Sequence, residues 1–336
     1  LKAQDLLKRA LGSRLLKWGV VVAAVVVGAY EIHKEWGQVH HALGTIGLVT
    51  CLWALLALLG MQFATLRVWQ TLLAGLGSPL PLPAAGRILF IGQLGKYIPG
   101  SVWPILAQME LGARAKVPRA RSASASVLAM LLSLVTGLIV AMVTLPFAQS
   151  DMQYLWVFLI LPVVLVCLHP RVLNPLLGKL FKLAKRPGLD QPLTGRVLAR
   201  ALAWAFVAWL FNGLQIFLMA EKFGAPVGKT FLVALGGYAF AWCVGFVIVI
   251  APAGAGVREV LLIVFLTPVI GKGPAIAVAA CSRAVNTISD LLVAGAAAAT
   301  RRRGLTNTAG TDEGKGQPPI PTESVTPVTS APDAAS

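Results

Sequence analysis

Acidic residues are scarce in this chain. Its 336 residues include 13 Asp and Glu against 29 Lys and Arg, and charged residues make up 12% of the whole. A soluble domain carries about 25% charged residues. With 57% apolar residues and a mean hydropathy of +0.77, the chain has too little polar surface to cover a water-exposed globule. Cysteine is scarce as well. Cys51, Cys167, Cys243 and Cys281 lie singly inside apolar runs with no C-x-x-C spacing, which argues against a disulfide framework or a zinc site. His33, His40 and His41 share one segment with only Glu31 and Glu35 nearby, the composition of a solvated interfacial loop rather than a metal site. Gly-x-Ser-x-Gly, His-Glu-x-x-His and Walker sequences are all missing. Direct ATP hydrolysis is therefore not expected, and neither an enzyme, a metal nor a cofactor is indicated.

The formal charge of +16 would suggest nucleic acid in a soluble protein. Its distribution excludes that partner, because the basic residues sit between apolar runs and alternate by loop. Lys2, Lys8, Arg9, Arg14 and Lys17 precede the first run; Arg114 to Arg121 follow the third; Arg171 to Arg200 fill the middle; Arg301 to Arg303 close the last. The intervening loops are nearly neutral. This is the positive-inside pattern, and it predicts a cytoplasmic (plasma) membrane protein with both termini in the cytoplasm.

A bilayer core about 30 Å thick needs roughly 20 helical residues to cross. Full spans are expected at 15–32, 45–66, 122–146, 154–168, 200–220 and 274–300. Two further apolar elements are interrupted: 84–112 at Pro99-Gly100 and 230–270 at Pro252 to Gly256. The fold class expected is therefore all-α, a polytopic membrane helix bundle. It has about six full spans plus two Pro/Gly-broken re-entrant hairpins, making eight hydropathy segments in an inverted internal repeat. Residues 1–17 read as a basic interfacial segment leading into an uncleaved span. Residues 18–170 and 200–300 are the two membrane halves, joined by a basic cytoplasmic linker at 171–199. The Gly/Thr/Pro/Ser-rich 301–336 reads as a disordered cytoplasmic tail. Whether 230–270 is re-entrant or crosses fully stays open, since 230–250 alone is long enough to cross.

Broken helices in matching positions of two halves point to a transporter's substrate site. Among the acids, Glu110, Glu259 and Asp290 fall inside apolar elements. An ionised side chain at the bilayer centre costs about 2.5–3.5 kcal/mol or more, so each must face a partner or a wet cavity. Glu259 follows Arg258 directly after the glycine break. Asp290 stands seven residues after Arg283, with Asn286 and Thr287 between, as a polar stripe on one helix face. In the first half Lys96 and Tyr97 precede the break, and Trp103, Gln108 and Glu110 follow it. Arg258, Arg283 and Lys96 are the expected phosphate ligands, because guanidinium forks and an ammonium suit that anion. Pro99, Gly100, Gly254 and Gly256 would let backbone approach it, with exposed amides at the break adding to the anion site. A structural set of salt bridges, with Lys96 reaching the interface and Trp103 in an aromatic belt, is the competing account. Arg67 and Arg87 read as anchors at the inner flank.

At these same residues the chain resembles the lysylphosphatidylglycerol synthase transmembrane family, also called flippase-like membrane proteins. The carrying features are Tyr97-Ile-Pro-Gly100 with Val102-Trp103, Pro252-Ala-Gly-Ala-Gly256 with Glu259, and Arg283 through Asp290. The resemblance runs roughly from Leu15 to Thr300. Pro99, Gly100, Pro252, Gly254, Gly256, Glu259, Arg283 and Asp290 fall on the family pattern. It implies a polytopic bundle with broken helices, and relatives that translocate lipids such as aminoacylated phosphatidylglycerol or that are associated with polyprenyl-linked sugars or hopanoids. Only a short tail follows Arg303, so lysyl transfer is not implied.

The function expected is a lipid flippase or transporter moving an anionic, phosphate-bearing or polyprenyl-phosphate-linked lipid between leaflets, with membrane lipids as its partners. An intramembrane transferase acting on a lipid-linked substrate, or a non-transporting membrane partner subunit, are the alternatives. Product formation from a labelled donor would mark the first, and a fixed pull-down stoichiometry the second.

Overall fold

A computed structural model describes residues 36–97, 102–149, 193–247 and 256–309. The described residues are all helical, without strands. The expected spans 15–32 and 154–168, the first break at Pro99-Gly100, and Pro252 and Gly254 of the second break lie outside them.

Eight α-helices of the described residues bear on the site. Helix α1 (Trp36–Gly75) leads into two short helices, α2 (Leu82–Gln93) and α3 (Trp103–Arg114), joined through a 3-10 turn at Leu94–Tyr97, and then into the long α4 (Arg119–Gln149). Further along, α5 (Gly195–Ala220) leads into α6 (Val227–Val247) and α7 (Val257–Ile270), and then into α8 (Lys272–Ala309). Five helices are long and apolar enough to cross a membrane: His40–Gly75, Arg119–Phe147, Gly195–Phe223, Val227–Phe246 and Lys272–Ala299. Four of them cover the described spans read from sequence. The fifth, α6, is the first arm of the second broken element. At 12 residues each, α2 and α3 supply about 18 Å of helix, and neither crosses alone.

Local chemistry accounts for the boundaries. Helix α1 stops at Gly75, where Gly77 takes φ 80 and Ser78 N–H returns to Leu73 C=O at 3.1 Å. A proline sits in the first turn of both α2 and α3, where its missing N–H costs nothing. Thr194 caps α5, its hydroxyl accepting from Val197 N–H at 3.4 Å.

Two apolar clusters fill the bundle. One joins α1, α5, α6, α7 and α8 around Leu58, Ile216, Tyr238 and Leu266; the other joins α1, α2, α4 and α5 around Trp69, Leu72, Leu89 and Leu128. The outward faces are apolar too. Leu48, Val49, Leu52, Trp53 and Leu56 of α1 are all more than half exposed, as are Val260 and Val264 of α7 and Leu291 of α8. Such continuous bands are excluded from water and suit lipid. This is an integral membrane protein.

The two arms of the first element meet at backbone distance. A Cβ on Gly95 would stand 2.9 Å from Pro104 N and from Trp103 C, and one on Gly92 would stand 2.5 Å from Gln108 Cγ. Gly95→Ala should therefore force the arms apart and destabilise the fold by about 1–3 kcal/mol, read as a lowered unfolding midpoint in detergent. Gly228, with nothing within 4 Å of its Cβ position, is the control: Gly228→Ala should leave the midpoint unchanged or raise it.

The compact unit carrying these features ends at Ala298. Of the second unit, from Ala299, the helical backbone to Ala309 is described.

Candidate functional site

The polar stripe of α8 sets the geometry. Arg283, Asn286, Thr287 and Asp290 recur at helical spacing on one face. Asn286 Nδ2 donates to Ser282 C=O at 2.8 Å and Thr287 Oγ1 to Arg283 C=O at 3.0 Å, so both are anchored on their own helix. Asp290 is 7% exposed. Two helical turns, about 10 Å, separate it from Arg283 along the axis, and its partners come from elsewhere. Oδ2 accepts from Lys96 Nζ at 2.7 Å and from Tyr97 OH at 2.6 Å. Oδ1 accepts from Gln62 Nε2 at 2.7 Å. One carboxylate thus ties α8 to the turn before the first break and to α1.

A second carboxylate organises the start of α7. Gly256 takes φ 87, which an L side chain would strain, and its N–H donates to Glu259 Oε2 at 2.7 Å. This is the acidic half of a capping box, since glycine has no side chain to supply the other half. Glu259 Oε1 faces Arg258 at 3.3 Å and Arg283 at 3.5 Å. Arg258 also lies over the Tyr238 ring, 5.5 Å from its centre, and is nearly enclosed. Glu259 therefore holds the two guanidinium groups from behind while both reach the same space.

That space is a cavity of about 290 Å³ bordered by Lys96, Tyr97, Arg258, Arg283, Asn286 and Asp290, with Gln62 on the α1 side. Its lining also includes the aromatic residues Trp69, Trp209, Trp242 and Phe246, together with Gln108 and Ser126. Trp69 Nε1 donates to Ser126 Oγ at 3.2 Å and Trp209 Nε1 to Thr136 Oγ1 at 3.0 Å. Ser126 in turn donates to Gln108 Oε1. With both indole N–H groups satisfied inside the bundle, these rings offer the cavity apolar carbon. Trp242 packs edge-on to Trp209 at 5.4 Å and stacks on Phe246 at 5.2 Å. The cavity thus combines cationic groups, neutral polar groups and aromatic carbon, at a volume suited to a headgroup. Gln62, Tyr238, Arg283 and Asp290 all belong to helices long and apolar enough to span a membrane.

Most of the sequence-derived candidates converge here. Lys96, Tyr97, Arg258, Arg283, Asn286 and Asp290 line the cavity, with Glu259 and Gly256 directly behind. Trp103 does not join them: it is 44% exposed on the outer side of the first element. Glu110 does not line the cavity: it is exposed on the third turn of α3 and paired with Arg119 at 2.8 Å. Arg67 stacks over Trp204 at 5.6 Å and donates to Gln70 at 2.8 Å. Pro99, Gly100 and Gly254 fall outside the described residues. Gln62 and Tyr238 were missed. Gln62 had a signal, being the one amide in the apolar run 45–66; Tyr238 had none beyond its aromatic character. Among the described residues, no three His, Cys, Asp or Glu come together as a metal-ligand set.

A family model described as Lysylphosphatidylglycerol synthase TM region matches residues 16–294. No curated protein matches the chain.

Proposed function

The chain belongs to the lysylphosphatidylglycerol synthase TM family, a membrane-lipid-related family, and on that premise we propose that it moves an anionic, phosphate-bearing lipid between leaflets. One observation carries the reading: among the described residues Lys96, Arg258 and Arg283 converge on one cavity inside an apolar bundle, beside the carboxylates of Glu259 and Asp290. Cations gathered in such a place call for an anion. The lipid's headgroup sits among these three cations while its tails stay in the bilayer, so no bare charge crosses hydrocarbon. In this reading the two broken elements enter from opposite faces, which makes the halves an inverted repeat and leaves both termini cytoplasmic, in the plasma membrane. Chemistry on the substrate is not part of this reading.

Reconstitution in vesicles tests it. Labelled lipids with a phosphate headgroup should become accessible to an impermeant quencher far faster with the protein than without. An uncharged glycerolipid of the same tails should not. Equal movement of both, at verified incorporation, would remove the headgroup from the argument; a labelled product formed from a lipid-linked donor would favour a transferase.

A further inference from the structure

Of the two carboxylates at the site, Asp290 is the one whose closest cation can leave it for the cavity. Glu259 keeps the nearly enclosed Arg258 and the Gly256 N–H on its own helix turn even when the more exposed Arg283 turns away. Asp290 accepts from Lys96, whose side chain is 34% exposed on a flexible four-carbon stem, and from Tyr97 and Gln62. None of these three lies on α8. The charged and titratable groups around Asp290 are Lys96 and Tyr97 from the turn, Arg258 and Glu259 from α7, Tyr238 from α6, and Arg283 from its own helix.

Resting on the reading that the cavity takes a phosphate headgroup, we infer that each headgroup enters together with one proton, received by Asp290, and that the substrate is a phosphodiester of single negative charge. A phosphate oxygen in the cavity competes with Asp290 for the Lys96 ammonium. When Lys96 changes partner, a nearly enclosed carboxylate loses its closest counter-ion, a condition that costs several kcal/mol if the group stays ionised. Taking a proton removes that cost. The O–H bond forms on Asp290 as the headgroup enters and breaks when it leaves at the other face. Lys96 then returns to the carboxylate.

Charge counting supports the same stoichiometry. Among the described residues, the cations Lys96, Arg258 and Arg283 and the carboxylates Asp290 and Glu259 carry the charge of the site. A monoanion plus a proton leaves that charge unchanged. Loaded and unloaded forms then present the same charge, and the membrane potential, worth about 2.3 kcal/mol per charge per 100 mV, does no work on the lipid step. A phosphomonoester, at roughly −1.5 to −2 near pH 7, would need a second proton acceptor. Glu259, clamped by two arginines, is poorly placed to be one.

The test uses the full chain in phosphatidylcholine vesicles carrying fluorescent phosphatidylglycerol, with a pH dye inside and valinomycin with potassium to set the potential. A pH gradient at zero potential should drive net movement of the labelled lipid, with proton movement in the same direction at a ratio near one. An imposed potential without a pH gradient should drive little. Lipid movement that ignores the pH gradient, or that follows the potential with no proton signal, overturns the coupling while leaving transport standing. No lipid movement of any kind overturns the transport reading and this inference with it. Fluorescent phosphatidic acid should move at least tenfold more slowly; equal rates overturn the charge argument. A binding measurement in lightly buffered detergent needs no transport: short-chain phosphatidylglycerol should draw about one proton per lipid bound. Absence of uptake by the wild-type protein overturns the inference, and so does equal uptake by Asp290→Asn.

Discussion

Asp290→Ala is expected to destabilise the protein by about 2–4 kcal/mol and to abolish lipid movement. Removing one partner of a buried ion pair typically costs about 3–5 kcal/mol, because the other charge is left uncompensated. Here the figure is discounted, since Lys96 is one-third exposed and can recover some solvation. The loss is not confined to one charge. Gln62, 3% exposed, loses its acceptor, and so does the Tyr97 hydroxyl. Three elements are released from each other by one truncation. Unfolding in mixed micelles on titration with a denaturing detergent reads the effect. The double variant Lys96→Met with Asp290→Ala should be more stable than Asp290→Ala alone, because the stranded ammonium is gone. If Asp290→Ala unfolds with wild-type stability, the carboxylate is not the tie between α8, α1 and the turn. Equal stability of the single and double variants would say that Lys96 is not its counter-ion.

That tie was only half legible in the sequence. Polar residues inside apolar runs stand out because each one is expensive where it lies, and this alone marked Arg258, Glu259, Arg283 and Asp290. The Pro/Gly interruptions likewise marked where the arms end: α2 and α3 fall within the expected 84–112 apart from the first two residues of α2 and the last two of α3, and α7 begins at Val257 directly after the glycines. What the sequence does not carry is pairing. Arg283 and Asp290 share a helix face, yet two turns of separation put them out of hydrogen-bond reach, so Asp290 needed a partner from another element. That partner is 194 positions away, a distance at which no spacing rule operates. Glu110 meets its partner, Arg119, from the start of the next helix, a pairing that its own apolar stretch does not carry either.

The aromatic lining of the cavity was invisible for another reason. Tryptophan and phenylalanine in an apolar chain are the expected filling of any bundle, and nothing in their order distinguishes a cavity wall from a packed core. What sets Trp69 and Trp209 apart is the hydroxyl that satisfies each indole N–H, from Ser126 and Thr136 on α4. Two of the cavity's tryptophans are thus positioned by α4, and its cations by the turn at Leu94–Tyr97, the first turn of α7 and the middle of α8.

Arg283→Ala should lower the rate of lipid movement by about 10- to 100-fold while costing little stability. The two effects separate because of where the side chain sits. Arg258 is almost enclosed, stacked on Tyr238 and next to Glu259; Arg283 is 29% exposed toward the cavity and its contact with Glu259 is long, at 3.5 Å. A partly solvated pair of that length is worth at most about 1 kcal/mol to the fold. A hydrogen bond from a guanidinium to a phosphate oxygen is worth about 1.5–3 kcal/mol, and each 1.4 kcal/mol is a factor of ten. Arg283→Lys should fall between, keeping the charge but losing the planar fork. The vesicle assay and an unfolding titration on the same preparation separate the outcomes. Lost movement at retained stability places Arg283 on the substrate; lost movement with lost stability makes it part of the scaffold; and retained movement removes it from the headgroup site, leaving Lys96 and Arg258 alone to hold the anion.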